Sequence, residues 1–229
     1  MCNKASLVLT EKEVFFSKTS DSHSKIILEH KLHEFGVRGA NILKVEVIPP
    51  SGNYKLPFDQ WGFVIDQDIL PDWHDPIRDK ERAFKALSEW VQYHFIREGT
   101  IDLSGIEDPS FVFFGSSRAK NMESGNCIFY DSSTLENQSG GGSIQFDSST
   151  LKNQSGGYSF QYDSSTLENQ SGGDSIQYGS SALKNQSGGN SRQYDYSTLE
   201  NQSGGVSIQY DSSTLKNQSG GKSDKHTLL

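Results

Sequence analysis

Three groups of side chains have the types and spacing for chemistry. Cys2 becomes N-terminal once Met1 is removed, which would set a thiol beside a free α-amine, the arrangement of an N-terminal nucleophile. His30 and His33 stand three apart, with His23 two helical turns earlier and Glu34 adjacent, a spacing that offers imidazole nitrogens to a metal ion. The acidic run Asp66, Asp68, Asp72, Asp75 and Asp79 supplies the oxygen donors that a divalent cation needs. Each group also has a plainer reading, and the pattern favours it. A zinc set needs a further ligand that the histidine stretch does not specify, and a calcium loop needs a turn glycine and a spacing that the acidic run lacks. The expectation is therefore a terminal thiol, solvated helix histidines and acids gathered at a helix N-terminus, with no catalytic residue, no metal ligand and no cofactor.

These groups would be positioned by a head of residues 1–98, which reads as a small α+β domain. Residues 5–9 and 14–17 alternate as a hairpin about Thr10-Glu11-Lys12-Glu13, and Asp21 or Ser22 is placed to cap a helix running to about residue 32. ILKVEVI at 42–48 is a strand stopped by Pro49-Pro50, and 61–66 reads as a fourth strand. Pro76 then opens a long helix in which Phe84, Leu87, Trp90, Val91 and Phe95 recur at helical spacing. The order is ββαββα, expected to pack both helices on one sheet face.

Beyond the head the composition changes. Trp61, Trp73 and Trp90 and most large aliphatic residues precede residue 99, and Ser, Gly, Asn and Gln dominate from there to the C-terminus, which holds the apolar fraction of the 229-residue chain to 33%. Of the net charge of −8, −2 belongs to residues 1–98 and −6 to the remainder. Neither part has the basic face that phosphate contacts require, which argues against nucleic acid as a partner. No apolar run reaches the length of a membrane span, and MCNKASLVLTEKE has neither an h-region nor a lipobox. A cytoplasmic or virion-associated location with no signal peptide and no membrane partner is expected. Two cysteines, Cys2 and Cys127, make no disulfide framework.

From Asp131 the chain repeats every 16 residues: DSSTLENQSGGGSIQF, DSSTLKNQSGGYSFQY, DSSTLENQSGGDSIQY, GSSALKNQSGGNSRQY, DYSTLENQSGGVSIQY and DSSTLKNQSGGKSDKH. A looser copy, GSSRAKNMESGNCIFY, occupies 115–130, and 99–114 is expected to form a lead-in strand or cap coil. A short period without slippage is what stacked units generate, since each can cover its edge only with a copy of itself. Residues 115–226 are therefore assigned to a β-solenoid of 16-residue coils, with 227–229 as a frayed tail.

Positions are numbered from the residue that opens each repeat. Position 12 (Gly142, Tyr158, Asp174, Asn190, Val206, Lys222) and position 14 (Ile144, Phe160, Ile176, Arg192, Ile208, Asp224) vary freely, which marks them as outward. Ser at 13 and Gln at 15 scarcely vary, so alternation turns them inward. The same rule places Ser at 3, Leu at 5 and Asn at 7 inside. Burying one Leu returns about 1.5–3 kcal/mol, whereas ordering the backbone of one coil costs on the order of 16–32 kcal/mol. The difference must come from ladders of backbone and side-chain hydrogen bonds between coils about 4.8 Å apart. The Gly pair at 10 and 11 allows a turn with φ > 0, and the ring at 16 (Phe146, Tyr162, Tyr178, Tyr194, Tyr210) should stack into a column. Position 6 alternates in sign through Lys120, Glu136, Lys152, Glu168, Lys184, Glu200 and Lys216. Each such pair is worth only about 0.2–1 kcal/mol, but a like-charged column would repel.

The 16-residue period, the run Tyr162-Asp163-Ser164-Ser165 and the tyrosine edge resemble the repeats of bacterial ice-nucleation proteins over about half of the chain. The resemblance implies a β-solenoid. It does not bring ice activity with it, because that family's outward Thr-x-Thr array is here Thr-x-Glu or Thr-x-Lys, as in Thr134 and Glu136, and a charged row breaks a flat lattice of hydroxyls. A head followed by such coils is also similar to uncharacterised repeat proteins of bacteria and phages, which implies no activity. Cys2 resembles the opening of N-terminal-nucleophile amidotransferases and of enzymes that crosslink to abasic DNA in that residue alone, since Asn3 stands where both place glycine.

The expected function is non-enzymatic, a structural or interaction protein. The solenoid would act as scaffold or display Tyr158, Phe160, Arg192, Val206 and Ile208 to a protein or surface partner. The alternatives are an enzyme or ligand-binding head built on Cys2 with an inert disordered tail, and an ice-active repeat surface. Self-association through the solenoid edge or the aromatic column is left open.

Overall fold

A computed structural model of the chain describes residues 4–36 and 39–226. The chain divides into two compact units between His94 and Phe95.

The head is built on an antiparallel sheet. β1 (Ala5–Leu9) pairs with β2 (Val14–Phe15) in the expected hairpin, Val8 opposite Phe15 and Leu9 opposite Val14. α1 (His23–Glu29) is capped by the Ser22 hydroxyl, which accepts from the Lys25 N–H. It stops short of residue 32 because Lys31 turns the backbone to φ 52°. A small ribbon, β3 (Phe35–Gly36) and β4 (Gly39–Ala40), comes next, and after it β5 (Leu43–Ile48), β6 (Gly62–Ile65) and α2 (Pro76–His94). The main sheet runs β2-β1-β5-β6.

The head is thus mostly strands with two helices, and ββαββα does not describe it, since the ribbon intervenes. The helices also lie on opposite faces of the sheet instead of pairing on one. Val8, Ile26 and Ile42, with Phe15, Ile27 and Leu32, form the core under α1. α2 packs against β1, β2 and β5 but contributes nothing to that cluster, so it covers the other face, where Leu7, Leu9, Leu43, Val45 and Val47 are wholly buried. The physical reason lies in β1: all five of its residues are buried, and a strand buried on both faces needs cover on both.

The second unit is the solenoid, and it begins at Phe95. That residue leaves α2 to start the first strand, so the helical spacing that included it extends one residue too far. One parallel sheet has nine strands, from Phe95–Ile96 through Val112–Phe113, Asn126–Phe129 and Gly142–Gln145 to Lys222–His226. The other has eight, from Thr100–Asp102 through Arg118–Lys120 and Thr134–Gln138 to Thr214–Gln218. The segment 99–114 is therefore part of the stack. The first step is looser, pairing Phe95 with Val112 and Thr100 with Arg118, and from Val112↔Ile128 onward the register advances by one repeat per coil. Backbone bonds such as Thr150 N–H to Ser133 O and Tyr158 N–H to Gly141 O, both 3.0 Å, join the coils beside the strands.

Two corners close each coil. At the first, Gly at position 11 takes φ between 65° and 76°, as expected. Its neighbour at position 10 has a different reason to be Gly: a Cβ there would fall 2.1–2.4 Å from the carbonyl oxygen at position 9 of the preceding coil. At the second corner the opening Asp adopts φ 54–59°, and Gly179, which replaces it in one coil, adopts 66°. These carboxylates brace the stack: Asp147 Oδ2 accepts from Asp131 N–H at 2.9 Å and Asp195 Oδ2 from Gly179 N–H at 3.0 Å.

Inside, the Leu column runs from Leu135 to Leu199 without exposure, and Ser at 3 and 13 and Gln at 15 are buried as expected. Position 7 is a correction. Asn137 and its copies are exposed, and Gln at position 8 (Gln138, Gln154, Gln170, Gln186, Gln202) is buried instead. The strand kinks between positions 5 and 8, where pairing skips position 6, so two consecutive side chains face outward and alternation resumes out of phase. The Asn ladder still forms, on the outside, with Nδ2 of each Asn donating to Oδ1 of the preceding one at 3.0–3.1 Å. The buried Gln at 8 clasps the corner: Gln170 Nε2 donates to Gly173 O and Asn190 O, and its Oε1 accepts from Ser175. A second buried ladder links position 15, Gln161 to Gln145 at 3.0 Å and Gln177 to Gln161 at 2.8 Å.

The first coils differ in kind. Their interior is apolar, with Leu103, Phe111, Ala119, Met122 and Cys127 around Phe113 and Phe129, whose rings stack at 4.7 Å. The outer ring column also starts there, running from Phe114 through Tyr130, Phe146 and the tyrosines to His226 with centroids 4.6–5.4 Å apart.

Candidate interaction face

The groups singled out on the head are not assembled as the sequence spaces them, and the members that meet are His23 of the histidine group and Asp66 of the acidic run. Cys2 lies outside the described residues. His30 directs Nε2 to Phe16 O at 3.1 Å and packs on Phe15, His33 is exposed, and Glu34 meets Lys44 at 3.2 Å. His23 turns away from both, toward Val45 O and Asp66, each at 3.0 Å. Of the acidic run, Asp68 and Asp72 are exposed, and Asp75 caps α2 by accepting from Ile77 and Arg78 N–H.

Asp79 is the residue that sequence reasoning misplaced among solvated acids. It is fully buried, and its carboxylate accepts from His74 Nδ1 at 2.9 Å, Asp75 N–H at 2.9 Å, and Arg78 and Arg82 at 3.2 Å. Arg82 in turn donates to Thr10 O and Glu13 O, which pins α2 to the β1–β2 hairpin. Burial pushes the carboxyl's pKa up, but the Asp75 amide, His74 and Arg78 outweigh it and hold the group below its ordinary value. The flanking Arg78 and Arg82 were the available signal.

On the solenoid, the variable positions form two adjacent columns on one sheet, about 6.5–7 Å apart along each strand. Tyr158 is 48% exposed and Arg192 is exposed, while Phe160, Val206 and Ile208 are half-buried by their neighbours above and below. In register, position 14 reads Ile128, Ile144, Phe160, Ile176, Arg192, Ile208. At the start of this stripe Ile128 and Ile144 are nearly covered, whereas Phe160, Ile176 and Ile208 are half-buried and Arg192 is exposed.

The other sheet presents Thr at position 4 beside the charged position 6. Lys184 reaches Glu168 at 3.3 Å and Lys216 reaches Glu200 at 3.4 Å, all partly solvated. The alternation also extends one coil earlier than the repeats suggest, because Asp102 pairs with Lys120 in register. The Asp102 carboxyl is held below its usual pKa by the Ser104 amide and hydroxyl and by Asn121, with Lys120 adding to the effect.

Together the two sheets offer a mixed aromatic, aliphatic and cationic stripe on one face and a hydroxyl and ion-pair face on the other, both on a ladder-braced backbone. Among the described residues no helix is long and apolar enough to cross a membrane. No family model matches the chain, and no curated protein or solved structure is significantly similar to it, so the resemblance to ice-nucleation repeats has no support beyond the period, the run Tyr162-Asp163-Ser164-Ser165 and the ring column.

Proposed function

We propose that this protein is a non-enzymatic interaction scaffold, in which the solenoid presents the stripe of positions 12 and 14 to a protein partner. One observation supports this above the others: successive coils keep their buried residues nearly constant and change most at these two outward positions. A spacer would need no such variety, and the mixture of Tyr158, Phe160, Arg192, Val206 and Ile208 has the aromatic, aliphatic and Arg content of contact surfaces. An ice-active surface is disfavoured, since the Thr column is interrupted at Ala182 and flanked by the charged column.

The test replaces Tyr158, Phe160, Arg192, Val206 and Ile208 together by Ser in the full chain and compares it with the wild type as bait. Unchanged melting with loss of the retained proteins is expected. Retention of the same set at unchanged melting would overturn the assignment.

A further inference from the structure

Three side chains from separate elements of the head converge beside the sheet. His23 opens α1, Glu46 lies within β5, and Asp66 comes directly after β6. Val64 sits opposite Glu46 in register, so Asp66, two residues on, projects to the same side. One ligand atom from each lies within 4.8 Å of the others. The side chains of His23 and Glu46 are only 10% and 11% exposed, and that of Asp66 is 54% exposed, which makes two recessed donors and one open to solvent.

We propose that His23, Glu46 and Asp66 form a binding site for a divalent transition-metal ion of the Zn²⁺ class. His23 Nε2 lies 3.0 Å from Val45 O, and a carbonyl only accepts, so Nε2 holds the ring proton. This leaves Nδ1 as the donor to a metal, with the other ring nitrogen donating to a backbone carbonyl, one of the partners that orient metal-bound histidines. Nδ1 faces Asp66 Oδ2 at 3.0 Å. Two acceptors so close need a positive charge between them. A second proton on the ring would satisfy that contact alone, whereas a metal ion meets Glu46 as well. Ligand atoms of a tetrahedral site with bonds of about 2.0–2.1 Å lie about 3.3 Å apart, so this pair is already near its liganded separation. An imidazole with two carboxylates suits Zn²⁺ better than Ca²⁺ or Mg²⁺, which favour oxygen alone.

Lys4 is the competitor. Its ammonium ion-pairs with Glu46 Oε1, and a metal must displace it. Three protein ligands then leave a fourth position on the solvent side, next to Asp66.

Titration of the full chain with Zn²⁺ at neutral pH, read by calorimetry and equilibrium dialysis, tests the site. One ion per chain is expected, lost in both His23→Gln and Asp66→Asn. Lys4→Met should tighten binding on the order of tenfold, since one charge-assisted hydrogen bond no longer has to be broken. Asp66 is exposed enough that Asp66→Asn keeps the fold even if His23→Gln does not. Failure of Lys4→Met to bind Zn²⁺ would show that the three donors do not hold an ion even without their competitor. Equal binding by Asp66→Asn and wild type would place the ion elsewhere, and either result overturns the proposal.

Discussion

Gly172→Ala isolates the force that sets the spacing of the coils. A Cβ at Gly172 would stand 2.3 Å from Ser155 O in the coil below, where real contacts rarely fall under 3.4 Å. The neighbour is backbone, so the corner must open by about 1 Å. That displacement strains Ser171 N–H to Gln154 O and Asp174 N–H to Gly157 O, both 2.9 Å, and the clasp from Gln170 to Gly173 O at 3.2 Å. Three hydrogen bonds at about 0.5–1.5 kcal/mol each put the cost at roughly 2–4 kcal/mol. For a unit of this size that lowers the melting temperature by roughly 4–16 °C. The control is Gly105→Ala: φ is 71° and no heavy atom lies within 4 Å, so only left-handed strain of about 1–2 kcal/mol applies. Far-ultraviolet circular dichroism would track the melt, and amide exchange should show new opening at 155–174 with distant coils protected. If Gly172→Ala melts with the wild type, or above Gly105→Ala, the close approach is not what holds the stack together.

Gln177→Leu leaves the Gln193 amide without its acceptor and Gln161 Oε1 without its donor inside a fully buried stack; a loss of about 2–4 kcal/mol in denaturant unfolding is expected despite the gain in apolarity. Glu168→Lys sets three lysines in succession on an exposed column, for a cost below about 1 kcal/mol at low salt that shrinks toward zero at about 1 M salt. Asp79→Asn strips a buried carboxylate from His74, Arg78 and Arg82 and should destabilise the head by about 3–5 kcal/mol, read from tryptophan fluorescence. The same carboxyl has a lowered pKa in the fold. Its stabilisation is therefore complete above the unfolded value near ~4 and disappears as pH falls through the lower folded value, a decline that Asp79→Asn should lack.

How much of this was legible in the chain depended on whether a signal was periodic. Coil length, the Leu column, the ring column and the burial of Ser and Gln at 13 and 15 come from constancy combined with strand alternation. Position 7 failed because alternation does not survive a kink, and Asn at 7 and Gln at 8 are equally invariant, so constancy had no vote. The opening Asp was not marked as a left-handed corner, although Gly179 in its place was the clue. The solenoid's start was hidden by the longer first step, which pairs Phe95 with Val112. In the head the links that matter join residues far apart, His23 to Asp66 and Arg82 to Thr10, and no local pattern foretells them.

The sign alternation at position 6 gives the rod a parity. Removing or duplicating a single coil would set two like charges side by side at the join, whereas removing or duplicating two in succession would restore every pairing. Length can therefore change without this repulsion only in steps of two coils, so the electrostatic period of the solenoid is twice its visible repeat.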